Sequence, residues 1–193
     1  PGTSRDMDEV ALGRGLAALH RAGAPGFGHR RDNVCGRVAQ RNDARASWPL
    51  FYGEQRLLAL GRHARDAGTL DRDTMRSIET IVGRLPELCG PPEPPARLHG
   101  DLWSGNAIHD AKGAPVLVDP AVYGGHREMD LAMMRLFGGF GPHVFAAYDE
   151  AFPLAAGHEH RVSLYQLYPL MVHVNLFGGS YAGAVQEALD ALT

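Results

Sequence analysis

Apolar residues recur at helical spacing along most of this chain, and only two short runs read as strands. From Asp8 to about His20, Val10, Leu12, Leu16 and Leu19 fall near a period of 3.6 and predict an amphipathic helix. His20 ends it as a basic side chain suited to the helix dipole. A second helix is predicted from Trp48 to about Ala67; its aromatic start, Trp48, Phe51 and Tyr52, reads as core. Gly68 breaks that pattern, and Asp71 to Leu85 places Met75, Ile78, Ile81, Val82 and Leu85 on one face of a third helix. Further helices are predicted over 127–137, 143–152, 161–176 and 181–192. Pro169 interrupts the one over 161–176 and predicts a kink or a helix that starts early.

Between these elements the pattern lapses. Residues 1–8 are polar and read as a linker remnant. Ala22 to Asn42 is rich in Gly, Asp, Asn and Arg and reads as a long ordered loop, and Pro86 to Pro95 reads as a proline spacer, neither helix nor central strand. The two candidate strands are Ala107-Ile108-His109 and Val116-Leu117-Val118, separated by Asp110-Ala111-Lys112-Gly113, which is turn chemistry. A hairpin there carries Asn106, just before its first strand, to the neighbourhood of Asp119, just after its second. Asp101 lies upstream in a tight loop whose backbone Gly100 and Gly105 relax. The pattern as a whole is a mostly helical α+β fold with one short hairpin, read as one domain over residues 1–193.

Composition narrows the classes. With 193 residues, 45% hydrophobic and 21% charged, the chain can bury one sizeable core. A net charge of −3 gives no electrostatic reason to expect nucleic acid or an anionic membrane. No apolar run nears the ~20 residues that cross a bilayer, and no signal peptide opens the chain. The two cysteines, Cys35 and Cys89, form no metal or redox pattern, which suits a reducing cytoplasm. Ten histidines show no helical zinc pairing, and Trp103-Ser104-Gly105 is not the Gly-x-Ser-x-Gly of a serine hydrolase.

The chemistry concentrates in Arg97 to Pro120. Asp101, Asn106 five residues on and Asp119 thirteen beyond that all sit at the edges of short apolar runs. Carboxylate and amide oxygens at such a spacing suit a hard divalent cation that also holds a phosphate, because Mg²⁺ keeps water and phosphate ligands rather than a complete protein cage. Asp101 is then free to orient or deprotonate a nucleophile.

The motif His99-Gly100-Asp101, then Asn106, then hairpin and Asp119, resembles the catalytic half of the protein-kinase-like phosphotransferases. More specific are Leu102-Trp103-Ser104-Gly105-Asn106 and Asp119-Pro120-Ala121-Val122-Tyr123-Gly124-Gly125, which resemble the fructosamine/ketosamine 3-kinase family. Phe27-Gly28 with Asp32-Asn33, Gln40-Arg41-Asn42, Leu136-Phe137-Gly138-Gly139 and Asn175-Leu176-Phe177-Gly178-Gly179 extend the likeness from about Leu12 to about Leu189. It departs at Pro169, where that family usually carries another residue.

The resemblance implies the C-terminal lobe of a kinase-like fold and ATP- and Mg²⁺-dependent phosphorylation of a ketosamine hydroxyl, hence deglycation. It makes Asp101 the catalytic base, Asn106 and Asp119 the metal ligands, and Asp130 a carboxylate that binds backbone amides of the catalytic loop. His99 would support that loop from beneath, and Trp103 would offer an apolar face to the sugar or its amine substituent. Asp32 and Asn33 either wall the acceptor pocket or simply cap and turn their loop. His173 and Asn175 either face the sugar site or are satisfied core polars.

An aminoglycoside or choline kinase would share Asp101, Asn106 and Asp119, and a non-catalytic ligand-binding lobe is the other reading. Lys112 is the only lysine, and it sits in the hairpin turn. A kinase of this class needs a lysine in an N-terminal lobe to hold nucleotide phosphates. The expectation is therefore that such a lobe is missing from this sequence and that the piece alone is inactive.

Overall fold

Helices form where the 3.6-residue pattern predicts them, and strands pair only in twos. The computed structural model describes residues 7–192. Of the polar start expected to be a linker, positions 1–6 lie outside the described residues. Met7 and Asp8 belong to the fold: Met7 is buried, and the Asp8 carboxylate caps helix α1 (Glu9–Arg21) by accepting from the Ala11 amide at 2.9 Å.

The predicted loop after α1 holds a small antiparallel pair, β1 (Asn33–Cys35) and β2 (Val38–Gln40). Three residues per strand are too few to show alternation, which explains why the pattern missed it. Helix α2 spans 48–66; Tyr52–Leu58 in its middle winds as a π-helix. Trp48, Phe51 and Tyr52 are core, with the Trp48 and Tyr52 rings stacked at 5.2 Å.

Helix α3 (Arg72–Leu88) is capped by Asp71 and runs past Pro86, which the sequence had excluded from a helix. The last turn survives because Leu85 and Cys89 are buried and the Cys89 amide donates to Leu85 O at 3.0 Å. The proline segment is also more than a spacer: Glu93 takes a bidentate pair from Arg127, both contacts 2.8 Å.

Strand β3 (Ala96–Leu98) pairs antiparallel with β6 (Tyr123–Gly125), and between them β4 (Ala107–His109) pairs with β5 (Pro115–Leu117). The hairpin is the expected one, shifted by one residue in its second strand. Asp110 Oδ1 holds its turn by accepting from the Lys112 and Ala114 amides at 2.8 and 3.0 Å, and Gly113 takes φ +83°. Helices α4 (Glu128–Leu136), α5 (Pro142–Ala151), α6 (Val162–Phe177) and α7 (Ala182–Asp190) follow. Helix α6 runs continuously from Val162 to Phe177 with Pro169 inside it.

The apolar side chains form two cores. One gathers Phe51, Tyr52, Ile78, Leu85 and Tyr165 with Leu98; the other gathers Leu12, Leu16, Val144 and Tyr148 with Leu102. The loop from His99 to Asp101 thus crosses from one core to the other. Leu98 and Leu102 are both fully buried. Each contributes roughly 1.5–3 kcal/mol relative to exposure, so the loop is pinned at both ends.

A buried carboxylate sets its middle. Asp130, on α4, accepts from the His99 amide at 2.7 Å, the Gly100 amide at 2.9 Å and His20 Nε2 at 3.0 Å. Burial pushes this carboxyl up, but the His20 hydrogen bond and the nearby imidazoles outweigh it and hold the group below the usual carboxylate range. His20 is therefore not an end-of-helix cation facing water. Its ring is 1% exposed and also bonds Tyr148 Oη at 2.8 Å through Nδ1, tying α1 and α5 to the loop.

Two measurements test this packing. Gly13 lets α1 approach α5 so closely that a Cβ there would lie 2.2 Å from Val144 O, whereas nothing lies within 4 Å of one at Gly15. Gly13→Ala is expected to cost about 1–3 kcal/mol and Gly15→Ala to gain up to about 1 kcal/mol in chemical denaturation. Asp130→Asn is expected to cost about 2–4 kcal/mol at neutral pH. Because the folded-state pKa is lowered, the contribution is present above the unfolded value of about 4 and lost as pH falls through the folded one. The gap between the two proteins should accordingly narrow in acid.

Candidate active site

The loop closed by Asp130 presents Asp101, half-buried, with its backbone fixed from both sides. Gly100 takes φ +85°, and a Cβ there would lie 2.1 Å from Ala121 O, so the tight passage needs glycine. Gly105 has a different role from the relaxed backbone expected of it. Its φ is not positive; a Cβ there would meet the Trp103 ring at 2.2 Å, so its lack of a side chain makes room for the indole. Trp103 lies across this glycine with 43% of its surface exposed.

Asn106 ends the 3₁₀ turn Ser104–Asn106 and is buried. Its Nδ2 donates to Asp101 O at 2.8 Å and to Asp101 Oδ2 at 3.3 Å, and its backbone carbonyl accepts from the Val118 amide at 3.0 Å. That last bond extends the β4–β5 ladder by one pair and puts Asn106 beside the residue preceding Asp119. Among the described residues nothing donates to Asn106 Oδ1, and nothing bonds the exposed Asp119 carboxylate. His99 closes the base of this arrangement, its Nε2 on Val118 O at 2.9 Å and its Nδ1 accepting from the Asp101 amide at 3.3 Å.

The donor chemistry fits a hard divalent cation: one amide oxygen and one carboxylate, both uncommitted, at the joined ends of a hairpin. Among the described residues no three His, Cys, Asp or Glu side chains gather in one place. Asn106 and Asp119 thus offer two oxygens, and an ion held by them would take water or phosphate as its other ligands.

Asp101 differs from Asp130 in its electrostatics. Burial pushes its carboxyl above the usual range, the positive influence of His99 and His173 and the Asn106 hydrogen bond pull it back, and Asp130 adds to the upward push. It opens on a cleft of about 1020 Å³ bordered by Cys35, Gly36, Trp103, Phe137, His173 and Phe177, among others. A cleft of similar size, about 1080 Å³, runs along Phe27, Arg30, Arg97 and Gly124 but has no carboxylate oxygen for a hard cation.

The loop carrying Asp32 and Asn33 reaches the Asp101 cleft through its tip, Cys35 and Gly36, rather than through those two side chains. Asp32 Oδ1 accepts from the Asn42 amide at 2.8 Å. Asn33 is committed at both ends of its amide: Oδ1 accepts from Gln40 and Asn42 at 2.7 and 2.8 Å, and Nδ2 donates to Val122 O at 3.0 Å. The sequence also grouped His173 with Asn175, and the structure separates them. Asn175 is consumed by His63, Leu60 and Met171. His173 borders the cleft with Asp101, flanked by Phe137 at 4.8 Å and Tyr181 at 5.0 Å between ring centroids. Four residues separate His173 from Pro169, whose carbonyl receives its Nδ1 at 2.8 Å, a helical offset that does not reveal which way the ring faces.

The sequence model of the fructosamine kinase family matches residues 2–193. A protein of Enterococcus faecium named as a probable ketoamine kinase is 40% identical over 184 residues, which are 95% of this chain and 66% of that protein. The chloroplastic protein-ribulosamine 3-kinase of Arabidopsis thaliana is 38% identical over 185 residues, 95% of this chain and 56% of that one. A crystal structure described as a fructosamine-3-kinase from Thermobifida fusca superposes with a TM-score of 0.92 at 44% identity, covering 99% of this chain and 66% of the other. One from Haemophilus somnus gives 0.84 at 28% identity, covering 96% and 64%. The chain therefore spans between 56% and 66% of the length of these relatives. With the family model matched almost end to end, this chain belongs to the fructosamine kinase family.

Proposed function

We propose that this chain carries the phosphotransfer centre of a ketosamine kinase, which uses ATP and Mg²⁺ to phosphorylate a sugar hydroxyl of a fructosamine or ribulosamine. What supports this reading is that one hairpin and its loop carry all three groups: Asp101 borders the cleft and is bonded by Asn106 Nδ2, while Asn106 and the residue before Asp119 pair across the hairpin's ends, with Asn106 Oδ1 and the Asp119 carboxylate uncommitted among the described residues. Bound at Asn106 and Asp119, magnesium would hold the nucleotide phosphates and neutralise charge as it develops.

The chain's own residues then have separable tasks. Asp101 accepts the proton of the acceptor hydroxyl through Oδ1, while Asn106 holds Oδ2 and fixes the rotamer. The partial burial that raises its pKa makes it a better base than an exposed aspartate, though phosphoryl transfer asks mainly for positioning. His99 and Asp130 hold the loop in place without touching the acceptor. Trp103, with Phe137, Phe177 and His173, offers apolar and aromatic surface to the sugar or its amine substituent. Asp32 and Asn33 act on the fold of their own hairpin and not on the acceptor.

The phosphorylated adduct would then decompose, which makes the physiological role deglycation. Two free, buried cysteines suit a reducing compartment such as the cytoplasm. Among the described residues no helix is long and apolar enough to cross a membrane.

In the protein that carries this chain, Asp101→Asn is expected to lower kcat by about 10²–10⁴-fold with little change in the thermal midpoint. Asp119→Ala should remove Mg²⁺-dependent nucleotide binding; retained binding in a magnesium titration would overturn the ligand assignment. The base must be ionised and its pKa is raised, so the acid limb of the kcat/KM profile should lie above the ordinary aspartate value of about 4, with rate climbing as pH rises through it. Turnover of choline or an aminoglycoside in place of a ketosamine would assign the chain's acceptor to another class.

A further inference from the structure

Among the described residues Asp119 is the only non-glycine with φ in the left-handed region, at +52°. Such a conformation is strained for a residue with a Cβ and persists only where its surroundings hold it. Among the described residues nothing bonds the Asp119 side chain itself, so the hold comes through the backbone on either side of it. Val118, just before, is bonded to Asn106 O and to His99 Nε2, and the backbone that follows is held separately.

That backbone is gripped by buried amides of the β1–β2 hairpin. Gln40, 2% exposed, donates through Nε2 to Ala121 O at 3.1 Å and to Asn33 Oδ1 at 2.7 Å. Asn33 passes the grip one residue along, donating to Val122 O at 3.0 Å. Gly28 and Gly124 exchange backbone bonds at 2.8 and 2.7 Å. The ring of Tyr123 lies against the fully buried Arg56 guanidinium, 4.1 Å from its centroid, and Arg56 Nη2 in turn donates to Asn42 Oδ1 at 2.8 Å. At the far end, Tyr168 on α6 donates its hydroxyl to Gln40 Oε1 at 2.5 Å. Each amide has its orientation forced, because Ala121 O and Val122 O can only accept. Gln40 does not border the Asp101 cleft, and its side-chain amide is spent within this network.

We propose that Gln40 is a positioning residue for Asp119: from the hairpin it fixes Ala121 and, through Asn33, Val122, and so holds the Asp119 backbone in the strained conformation that presents its carboxylate beside Asn106. The metal-binding part of this inference rests on the phosphotransfer reading; the part about the backbone does not. Tyr168 makes the same network continuous with the helix that carries His173, so the acceptor side and the Asp119 side of the site share one scaffold.

The test is Gln40→Met, which keeps the volume and removes both amide donors, with Tyr168→Phe as a milder variant that removes one hydroxyl. Hydrogen–deuterium exchange over 119–125 should rise at least about tenfold in Gln40→Met, more than in α1 or α5, and by less in Tyr168→Phe. Binding of Mn²⁺ in the presence of nucleotide, read by electron paramagnetic resonance, should weaken about tenfold in the same order. Exchange over 119–125 that is unchanged, or that rises no more than in α1, would overturn the proposal. Should Gln40→Met fail to fold, the same readings on Asn33→Ala and Tyr168→Phe decide by the same criterion. Absence of Mn²⁺ binding in the unaltered protein would count against the phosphotransfer reading alone, since exchange needs no metal.

Discussion

The buried carboxylate of Asp130 is the constraint on which the site depends. Burying a charge is costly unless it is bonded on all sides, and here both oxygens are taken by the amides of His99 and Gly100 and by His20. The arrangement works in both directions. The loop supplies the donors that let a charge exist inside the fold, and the charge dictates where those two amides must be. Since Asp101 follows Gly100 directly, its backbone position is settled by a residue thirty positions away on α4.

The two cores make that positioning rigid. Leu98 and Leu102 belong to different hydrophobic clusters, so a shift of the loop toward one would strip contacts from the other. Asn106 and Asp119 are placed by a separate device, the short β4–β5 hairpin. Its registry is extended by the Val118 to Asn106 bond and is joined to the loop through His99. Only the Asp101 loop is thus anchored in packed interior. The far side of the cleft, with Trp103, Phe137 and Phe177 exposed, is left open.

What could be read in the sequence was what local chemistry decides. The hairpin was legible because Asp110 and Gly113 make its turn within five residues, and the amphipathic helices because their faces repeat. The rest was hidden because tertiary contacts decide it. Nothing near His20 in sequence tells that its ring will lie between Asp130 and Tyr148, more than a hundred residues away. Pro86 stays helical because Leu85 and Cys89 are held by the core. The Asp32 and Asn33 side chains could be read as ligand groups or as caps because sugar hydroxyls and neighbouring amides and carbonyls want the same partners; here Asp32 accepts from the Asn42 amide, and Asn33 accepts from Gln40 and Asn42 and donates to Val122 O. Gln40 gave no signal beyond its place in a Gln-x-Asn run, since a buried amide has no period.

Asp101 and Asp130 lie close enough to influence one another, and their environments separate them. Asp130 is held ionised below the usual carboxylate range by donors on every side, whereas Asp101 is raised by burial with only Asn106 donating to its carboxylate. The fixed negative charge of the first adds to the upward shift of the second. A carboxylate that serves the fold therefore also shifts the one that borders the cleft. That division follows from the count of hydrogen-bond donors around each group: three on the Asp130 carboxylate against one on that of Asp101.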